Sequence, residues 1–248
     1  MIRFIAVFAA VLLAAGGGAI ADTPKPREYP FRSAPPTLQI GDAAPEFAVG
    51  RWFKGGPVAP SQERLLIVDG WATWCHWCVA GFPHLSELAK TYQGKVDVVG
   101  LDVRETQTTE QVQEFVTKQG ERMGFAVAGD GEDRFVNAWL RPAGQEGLPT
   151  AFIIQKGRIV WIGITSKIDA KLLDSILDGS FKVEEAKKAA AHDRAVNAAK
   201  MEIGWYSQTK DYDTAIRKAD EAMAAYPDSS AVFQPMKETS LKLKEAAK

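Results

Sequence analysis

Residues 71–78 (WATWCHWC) constrain the fold more than any other part of this 248-residue sequence, because they hold both of its cysteines, spaced C-x-x-C. They follow an apolar run at 65–69 that is typical of a buried strand, and they open a helical pattern that continues to Tyr92. Side chains three residues apart on a helix have Cβ atoms roughly 5–6 Å apart, so a small backbone adjustment can close a disulfide. The pattern predicts a strand, a C-x-x-C pair and a helix in direct succession.

The start of that helix favours a reactive first cysteine. Unpaired backbone N–H groups and the positive end of the helix dipole lie beside Cys75 and stabilise a thiolate, the form that attacks disulfides. The alternative is a structural disulfide, the usual role of paired cysteines in exported proteins. A bridge that closes so short a loop constrains little of the unfolded chain, so the spacing favours a redox-active pair.

The N-terminus carries the pattern of an export signal. A positive start at Arg3 precedes an apolar run at 4–15, and Ala19-Ile20-Ala21 forms an A-x-A cleavage site. An uncleaved anchor helix is the alternative, although the apolar run is short for a membrane span. We expect residues 1–21 to be a signal peptide, and the protein to be periplasmic or otherwise exported and soluble after cleavage. The formal net charge of −1 provides no electrostatic attraction for nucleic acid.

Strand and helix patterns alternate after a proline-rich linker at 22–37. Residues 39–60 suggest a short hairpin or an edge segment. The predicted strands are 65–70, 96–103, 125–128, 150–155 and 159–164. The predicted helices are 75–92, 108–119, 133–140 and 169–177. This order indicates an α/β fold over 38–178, with a mixed central sheet and helices on both faces.

Residues 181–248 differ in composition from the α/β part and predict a second, all-α unit. They are rich in Ala, Lys and Glu and suggest three helices, near 182–207, 211–225 and 229–246. The stretch 211–222, followed by Pro227 and preceded by Tyr206, resembles a tetratricopeptide repeat hairpin. A single repeat cannot bury its own apolar face. We therefore expect this unit to pack on the α/β domain, on a second copy or on a partner, or else simply to cover apolar surface.

Four motifs carry a family resemblance over about residues 38–178. They are 41–47 (GDAAPEF), 71–75 (WATWC), Pro83 and 147–152 (GLPTAF). Together they resemble the exported TlpA/ResA-type thiol-disulfide oxidoreductases, which are redoxin-domain relatives within the thioredoxin superfamily. The resemblance implies a thioredoxin-like fold, activity on protein thiols and disulfides, and no cofactor besides the redox-active cysteine pair.

The resemblance also assigns roles to individual residues. It implies that Cys75 is the nucleophile, that Cys78 resolves the mixed disulfide, and that a buried Asp69 relays protons to Cys78. It makes Pro149 a cis-proline that leaves the Leu148 backbone free to pair with substrate. The alternatives are a solvent-exposed or capping role for Asp69, and an ordinary trans-proline at the start of a strand.

The chain departs from the family pattern at two places. His76 and Trp77 replace the commoner dipeptides between the cysteines; a charged His76 would stabilise the Cys75 thiolate, and Trp77 and Trp74 could form an apolar surface for substrate. The alternative is that these side chains merely face solvent. Gly81 stands where many family members carry a Glu, which leaves proton transfer to Asp69 or to water.

Other chemistries fit the sequence poorly. Haem attachment needs a histidine where Val79 stands, and a zinc site would need two ligands beyond the cysteines, with only His76, His84 and His192 as histidines. We therefore expect an enzyme without a metal, most simply a protein-disulfide reductase supplied by a membrane-borne or soluble electron donor. An oxidase or isomerase would use the same residues. The alternative from a different functional class is a non-catalytic binding module in which the disulfide is only structural.

Overall fold

A computed structural model describes residues 29–30, 35–145 and 147–247. The predicted signal peptide and most of the predicted linker lie outside these residues. The strands are β1 (Arg51–Lys54), β2 (Leu65–Trp71), β3 (Val96–Asp102), β4 (Ala126–Gly129), β5 (Thr150–Gln155) and β6 (Arg158–Gly163). They form one sheet in the order β1-β4-β3-β2-β5-β6, in which β2, β3 and β4 run parallel and the other neighbours run antiparallel. The predicted thioredoxin-like α/β fold is confirmed, and part of 39–60 forms edge strand β1.

Helices surround this sheet and continue beyond it. They are α1 (His76–Thr91), α2 (Thr109–Gln119), α3 (Ala170–Leu177), α4 (Val183–Gln208), α5 (Tyr212–Ala225) and α6 (Ser230–Ala246). The helix predicted at 133–140 is present over residues 134–140, but Val136–Leu140 has π-helical hydrogen bonding. Gly131–Asp133 before it is a 3-10 turn in which Glu132 and Asp133 adopt positive φ. Within the described residues no helix has both the length and the apolar content needed to cross a bilayer.

Strand β2 is the centre of the sheet. All seven of its residues are buried, as expected for a strand that has neighbours on both edges and helices on both faces. Ile67 faces a core shared with α1, α2 and α3. Val68 faces a second core, formed with residues around Trp139 and with the start of α4. Asp69 is the exception in this apolar strand, because it is a carboxyl buried among hydrocarbon groups.

Helix α1 packs its apolar face against the first of these cores. Cys78, Phe82, Leu85 and Leu88 are its buried residues, at the spacing of one helical face. Pro83 lies within the helix on its exposed side. Tyr92 caps the C-terminal end and donates its hydroxyl to Asp174 at 2.9 Å. These contacts hold α1 against α3 and so fix the N-terminal end of α1, where the cysteines lie.

Helix α4 belongs to both parts of the chain. Near its start, Ala186 and Ala190 pack against the sheet core. Near its end, Ile203 and Tyr206 pack against α5 and α6 in a third core. The predicted all-α unit therefore extends from a helix that begins on the sheet.

The third core depends on small residues facing a large one. Ala215, Ala219 and Ala222 form a fully or nearly buried stripe on α5, and they allow α4 and α6 to approach closely. Phe233 of α6 is fully buried in this core. Tyr29 packs its ring on Trp205 of α4, with 5.9 Å between the ring centroids.

Replacing Phe233 with Ala tests how much the third core contributes to stability. We expect Phe233→Ala to lower the free energy of unfolding of the helical part by about 3–5 kcal/mol, because it leaves a cavity where a full aromatic ring was buried. Val232→Ala, at a largely exposed neighbouring position, is the matched control and should change it by less than about 1 kcal/mol. Denaturant unfolding followed by circular dichroism measures both; equal effects would contradict this packing.

Candidate active site

The two cysteines form a disulfide at the start of α1. Their Cα atoms are 5.3 Å apart, within the range that a disulfide requires. Cys75 is the N-cap residue of the helix, and its Sγ accepts the backbone N–H of Cys78 at 3.2 Å. Both residues are buried, with Cys75 5% and Cys78 2% exposed. Cys75 therefore lies where helix N–H groups would stabilise a thiolate, and Cys78 lies inside the first turn.

Aromatic side chains surround the disulfide on the solvent side. Trp77 is 74% exposed and Trp74 is 52% exposed, so both depart from the usual burial of tryptophan. The Trp77 ring contacts that of His76, with 5.8 Å between centroids. The Trp74 indole N–H donates to the carbonyl of Arg104 at 3.1 Å, which holds this ring beside the disulfide loop. Both rings are therefore exposed to solvent, which fits a substrate surface and the alternative of merely solvent-facing side chains equally, so the predicted role of Trp74 and Trp77 stays a prediction.

The Leu148–Pro149 peptide is cis, as the motif predicted. It directly precedes β5, whose first residue, Thr150, pairs with Gly70 of β2. A Cβ added at Gly70 would lie 3.5 Å from a Leu148 methyl carbon, which shows how closely Leu148 packs over the end of β2. The strand pairing therefore places the cis-proline segment at the same edge of the sheet as the disulfide loop.

Asp69 lies within β2 and is 1% exposed. The Thr165 hydroxyl donates a hydrogen bond to its Oδ1, from the turn that follows β6. Burial raises the pKa of Asp69 to about 7, although the Thr165 bond opposes that rise. The alternative of an exposed capping aspartate is therefore wrong for this position. A carboxyl with this pKa can both accept and donate a proton near neutrality.

Position 81 offers no second acid. Gly81 lies on α1, and a Cβ built there meets no atom within 4 Å. The space that a longer side chain would need is therefore open, and nothing in the packing requires glycine. Asp69 remains the buried carboxyl on β2, on the face that α1 covers, because Ile67 and Trp71 on either side of it belong to the core shared with α1.

Two acidic residues were missed in the sequence: Asp102, which ends the neighbouring strand β3, and Glu105, which follows that strand. Glu105 accepts the backbone N–H and the hydroxyl of Thr73 at 2.7 and 2.9 Å. Asp102, at the end of β3, is buried and lines a cavity of about 400 Å³ that Glu105 also lines. The available signal was the apolar run before Asp102, which matches the run before Asp69. Within the described residues no group of three His, Cys, Asp or Glu side chains could hold a metal ion.

Comparisons with known proteins agree with this geometry. Residues 58–120 match the Thioredoxin family model. The protein FixW of Rhizobium leguminosarum is 23% identical over 215 residues, covering 78% of this chain and 94% of FixW. A thioredoxin of Staphylococcus aureus is 46% identical over 48 residues, which is 19% of this chain. That match spans 46% of the thioredoxin, less than half of its length.

Solved structures of similar proteins align with part of this chain. A thiol-disulfide isomerase from Corynebacterium glutamicum has a TM-score of 0.45 at 22% identity, covering 55% of this chain and 94% of that one. StoA from Bacillus subtilis has a TM-score of 0.43 at 18% identity, covering 54% of this chain and 98% of StoA. The sheet, the disulfide at the start of α1 and the family model matched over residues 58–120 show that this chain contains a thioredoxin-like domain, which a C-terminal helical extension follows.

Proposed function

We propose that this protein is an exported, TlpA/ResA-like protein-disulfide reductase that works through the Cys75–Cys78 dithiol. The observation that carries the proposal is the position of the disulfide. It caps α1 with Cys75, at the edge of the sheet where the cis Leu148–Pro149 peptide precedes β5. The export signal proposed for residues 1–21 places this chemistry outside the cytoplasm.

The first step is attack by Cys75. In the reduced protein the Cys75 thiolate attacks one sulfur of a substrate disulfide, the substrate S–S bond breaks, and one substrate thiolate leaves. The product is a mixed disulfide between Cys75 and the substrate. The Cys78 N–H favours the attacking thiolate, because it donates to Sγ of Cys75.

The second step is resolution by Cys78. Its thiolate attacks Sγ of Cys75, the mixed disulfide breaks, and the second substrate thiol is released. Two electrons have then passed to the substrate, and the Cys75–Cys78 disulfide must be reduced by an external dithiol donor. The Cys78 proton passes to Asp69, whose pKa of about 7 suits a base near neutrality.

The surface around the cysteines suits an extended polypeptide. The Leu148 backbone lies at the edge of the site and offers strand-like hydrogen bonds, while Trp74 and Trp77 offer apolar area. His76 stands beside Trp77 and contributes a polar group. Such a site accepts many unfolded segments instead of one small molecule.

Two other functions use the same structure. An oxidase or isomerase would need the same cysteines with a higher reduction potential. A binding module would hold its partner through the helical extension, and its disulfide would only stabilise the fold. Reduction of insulin by dithiothreitol, with and without the protein, separates an enzyme from a binding module. A potential of the couple at or below about −250 mV supports the reductase, and one near −120 mV supports an oxidase.

Alkylation of the reduced protein tests the roles of the two cysteines. We expect brief treatment with iodoacetamide to label Cys75 almost exclusively, since Cys75 meets the helix N-terminus and Cys78 lies inside the first turn. Peptide mapping by mass spectrometry gives the labelled position. A Cys78→Ser variant should accumulate mixed disulfides, whereas Cys75→Ser, the matched control, should not. Predominant labelling of Cys78 would reverse the assigned roles.

Asp69→Asn tests the proton acceptor. We expect resolution of the mixed disulfide to slow by at least about tenfold near pH 7, because Asn cannot accept the Cys78 proton. Stopped-flow turnover over pH 6–8 measures this, with Asp97→Asn as a control on the partly exposed side of β3. Rates that match the wild type throughout this range would remove Asp69 from the mechanism.

The same variant has a stability signature. The pKa of Asp69 is raised in the folded state, so burying its charge costs stability, and that cost grows as pH rises from about 4 to about 7. Asp69→Asn removes the cost, at most about 4 kcal/mol for a shift of this size. Its free energy of unfolding relative to wild type should therefore rise between pH 4 and pH 7, while that of Asp97→Asn should not.

Truncation tests the role of the helical extension. We propose that the extension serves self-association or partner docking, since the cysteines, Asp69 and Pro149 all precede residue 178. A chain ending near Gly179 should still react with a small disulfide but lose stability, because Ala186 and Ala190 no longer cover the sheet. A chain ending near residue 195 keeps that cover and is the matched control. Loss of reaction while circular dichroism shows the α/β domain still folded would show that the helices shape the active site.

A further inference from the structure

A second buried carboxyl lies one strand away from Asp69. Asp102 ends β3, is 7% exposed, and pairs in register with Trp71, the last residue of β2. Its side chain lines the same cavity as that of Glu105 and lies within reach of it, while its Oδ1 has no partner within the part of the chain that is described. Two carboxyl groups in such contact share a proton, because two adjacent carboxylates in a buried site repel each other.

Glu105 holds the segment directly before Cys75. Both of its oxygens accept hydrogen bonds from Thr73: Oε2 from the N–H at 2.7 Å and Oε1 from the hydroxyl at 2.9 Å. The N–H groups of Thr106 and Gln107 also donate to Oε1, at 2.7 and 3.0 Å. Burial alone would raise the pKa of Glu105, but these donors outweigh burial and lower it. Glu105 is therefore the ionised member of the pair.

The shared proton then belongs to Asp102. Burial first, then the charge and the hydrogen bond of Glu105, and then the charge of Asp130 raise the pKa of Asp102 to about 8. Asp102 thus donates to the Glu105 carboxylate at neutral pH. The charged side chains that line the same cavity are Arg51, Arg104, Glu105, Asp130 and Asp133.

The backbone next to Glu105 makes a further contact with the active-site loop. Arg104 adopts a positive φ of 53°, which few non-glycine residues do. Its carbonyl accepts the Trp74 indole N–H at 3.1 Å. Residues 104 and 105 therefore hold Thr73 and Trp74, the two residues that directly precede the nucleophile.

We propose that Asp102 and Glu105 are a proton-sharing pair of positioning residues, in which Glu105 holds Thr73 and protonated Asp102 keeps Glu105 in place. The inference rests on the proposed dithiol chemistry of Cys75 and adds to it a device that sets the position of the loop. When Asp102 loses its proton, the two carboxylates repel each other. Glu105 then moves away from Thr73, and Cys75 is held less firmly at the helix N-terminus.

The test follows the Thr73 methyl group by NMR in the oxidised full-length protein, where neither cysteine titrates. In the wild type we expect its chemical shift to change in one step with a midpoint near pH 8. The step should vanish in Asp102→Asn, whose amide still donates to Glu105 but has no titrating proton. It should persist in Asp97→Asn, which removes a carboxyl from the same strand, and in Asp69→Asn, which removes the other buried one.

A second variant and a second readout complete the test. Glu105→Gln should also abolish the step, and it decides the question should Asp102→Asn fail to fold. The second readout is the rate at which DTNB reacts with the reduced protein, measured for Asp102→Asn and for the wild type. The ratio of the variant rate to the wild-type rate should rise about threefold or more from pH 7 to pH 9.5.

Three results would overturn the pair: no step in the wild type, a step that survives in Asp102→Asn, or a rate ratio that stays flat with pH. Failure of the protein to reduce insulin would overturn the proposed reductase and leave the NMR result standing. The two proposals can therefore fail separately.

Discussion

The whole site depends on the burial of β2 between two paired neighbours. Its residues pair with β3 on one edge and with β5 on the other, and all seven are buried. The pairing brings the end of β2, the end of β3 at Asp102 and the start of β5 after Pro149 together at the same end of the sheet. Cys75 follows β2 after a short loop and lies at that end. Strand register, and not the loop alone, thus assembles the site.

The same burial sets the proton chemistry. Asp69 and Asp102 lie on adjacent strands and are both buried, so burial is the first cause of the raised pKa of each. The side chains next to the two carboxyl groups then make their pKa values differ. The Thr165 hydroxyl stabilises the charged form of Asp69, whereas the Glu105 carboxylate destabilises the charged form of Asp102. Near neutrality Asp69 is therefore free to accept a proton, and Asp102 keeps one.

The sequence predicted the parts of this site that are contiguous in the chain. The C-x-x-C pair, the helix it opens and the strands on either side follow from local patterns, and the family resemblance of 147–152 implied the cis form of Pro149. The contacts of Thr73 with Glu105 and of Asp69 with Thr165 join residues 32 and 96 positions apart. No local pattern encodes such pairs, because they exist only once the sheet has aligned its strands. The π-helical hydrogen bonding at Val136–Leu140 was missed because it joins residues five apart instead of four, and the apolar pattern of so short a segment does not separate the two.

The attachment of the helical extension follows from which face of the sheet each helix covers. Cys75 and Cys78 belong to the core on the α1 side, whereas Ala186 and Ala190 of α4 pack into the core on the opposite face. The extension is thus rooted behind the sheet and leaves the exposed Trp74 and Trp77 uncovered. A partner bound by α5 and α6 could therefore remain in place while a substrate reaches the disulfide. Helix α4 continues without a break from one core to the other and contacts β6, so one helix joins the extension to the sheet.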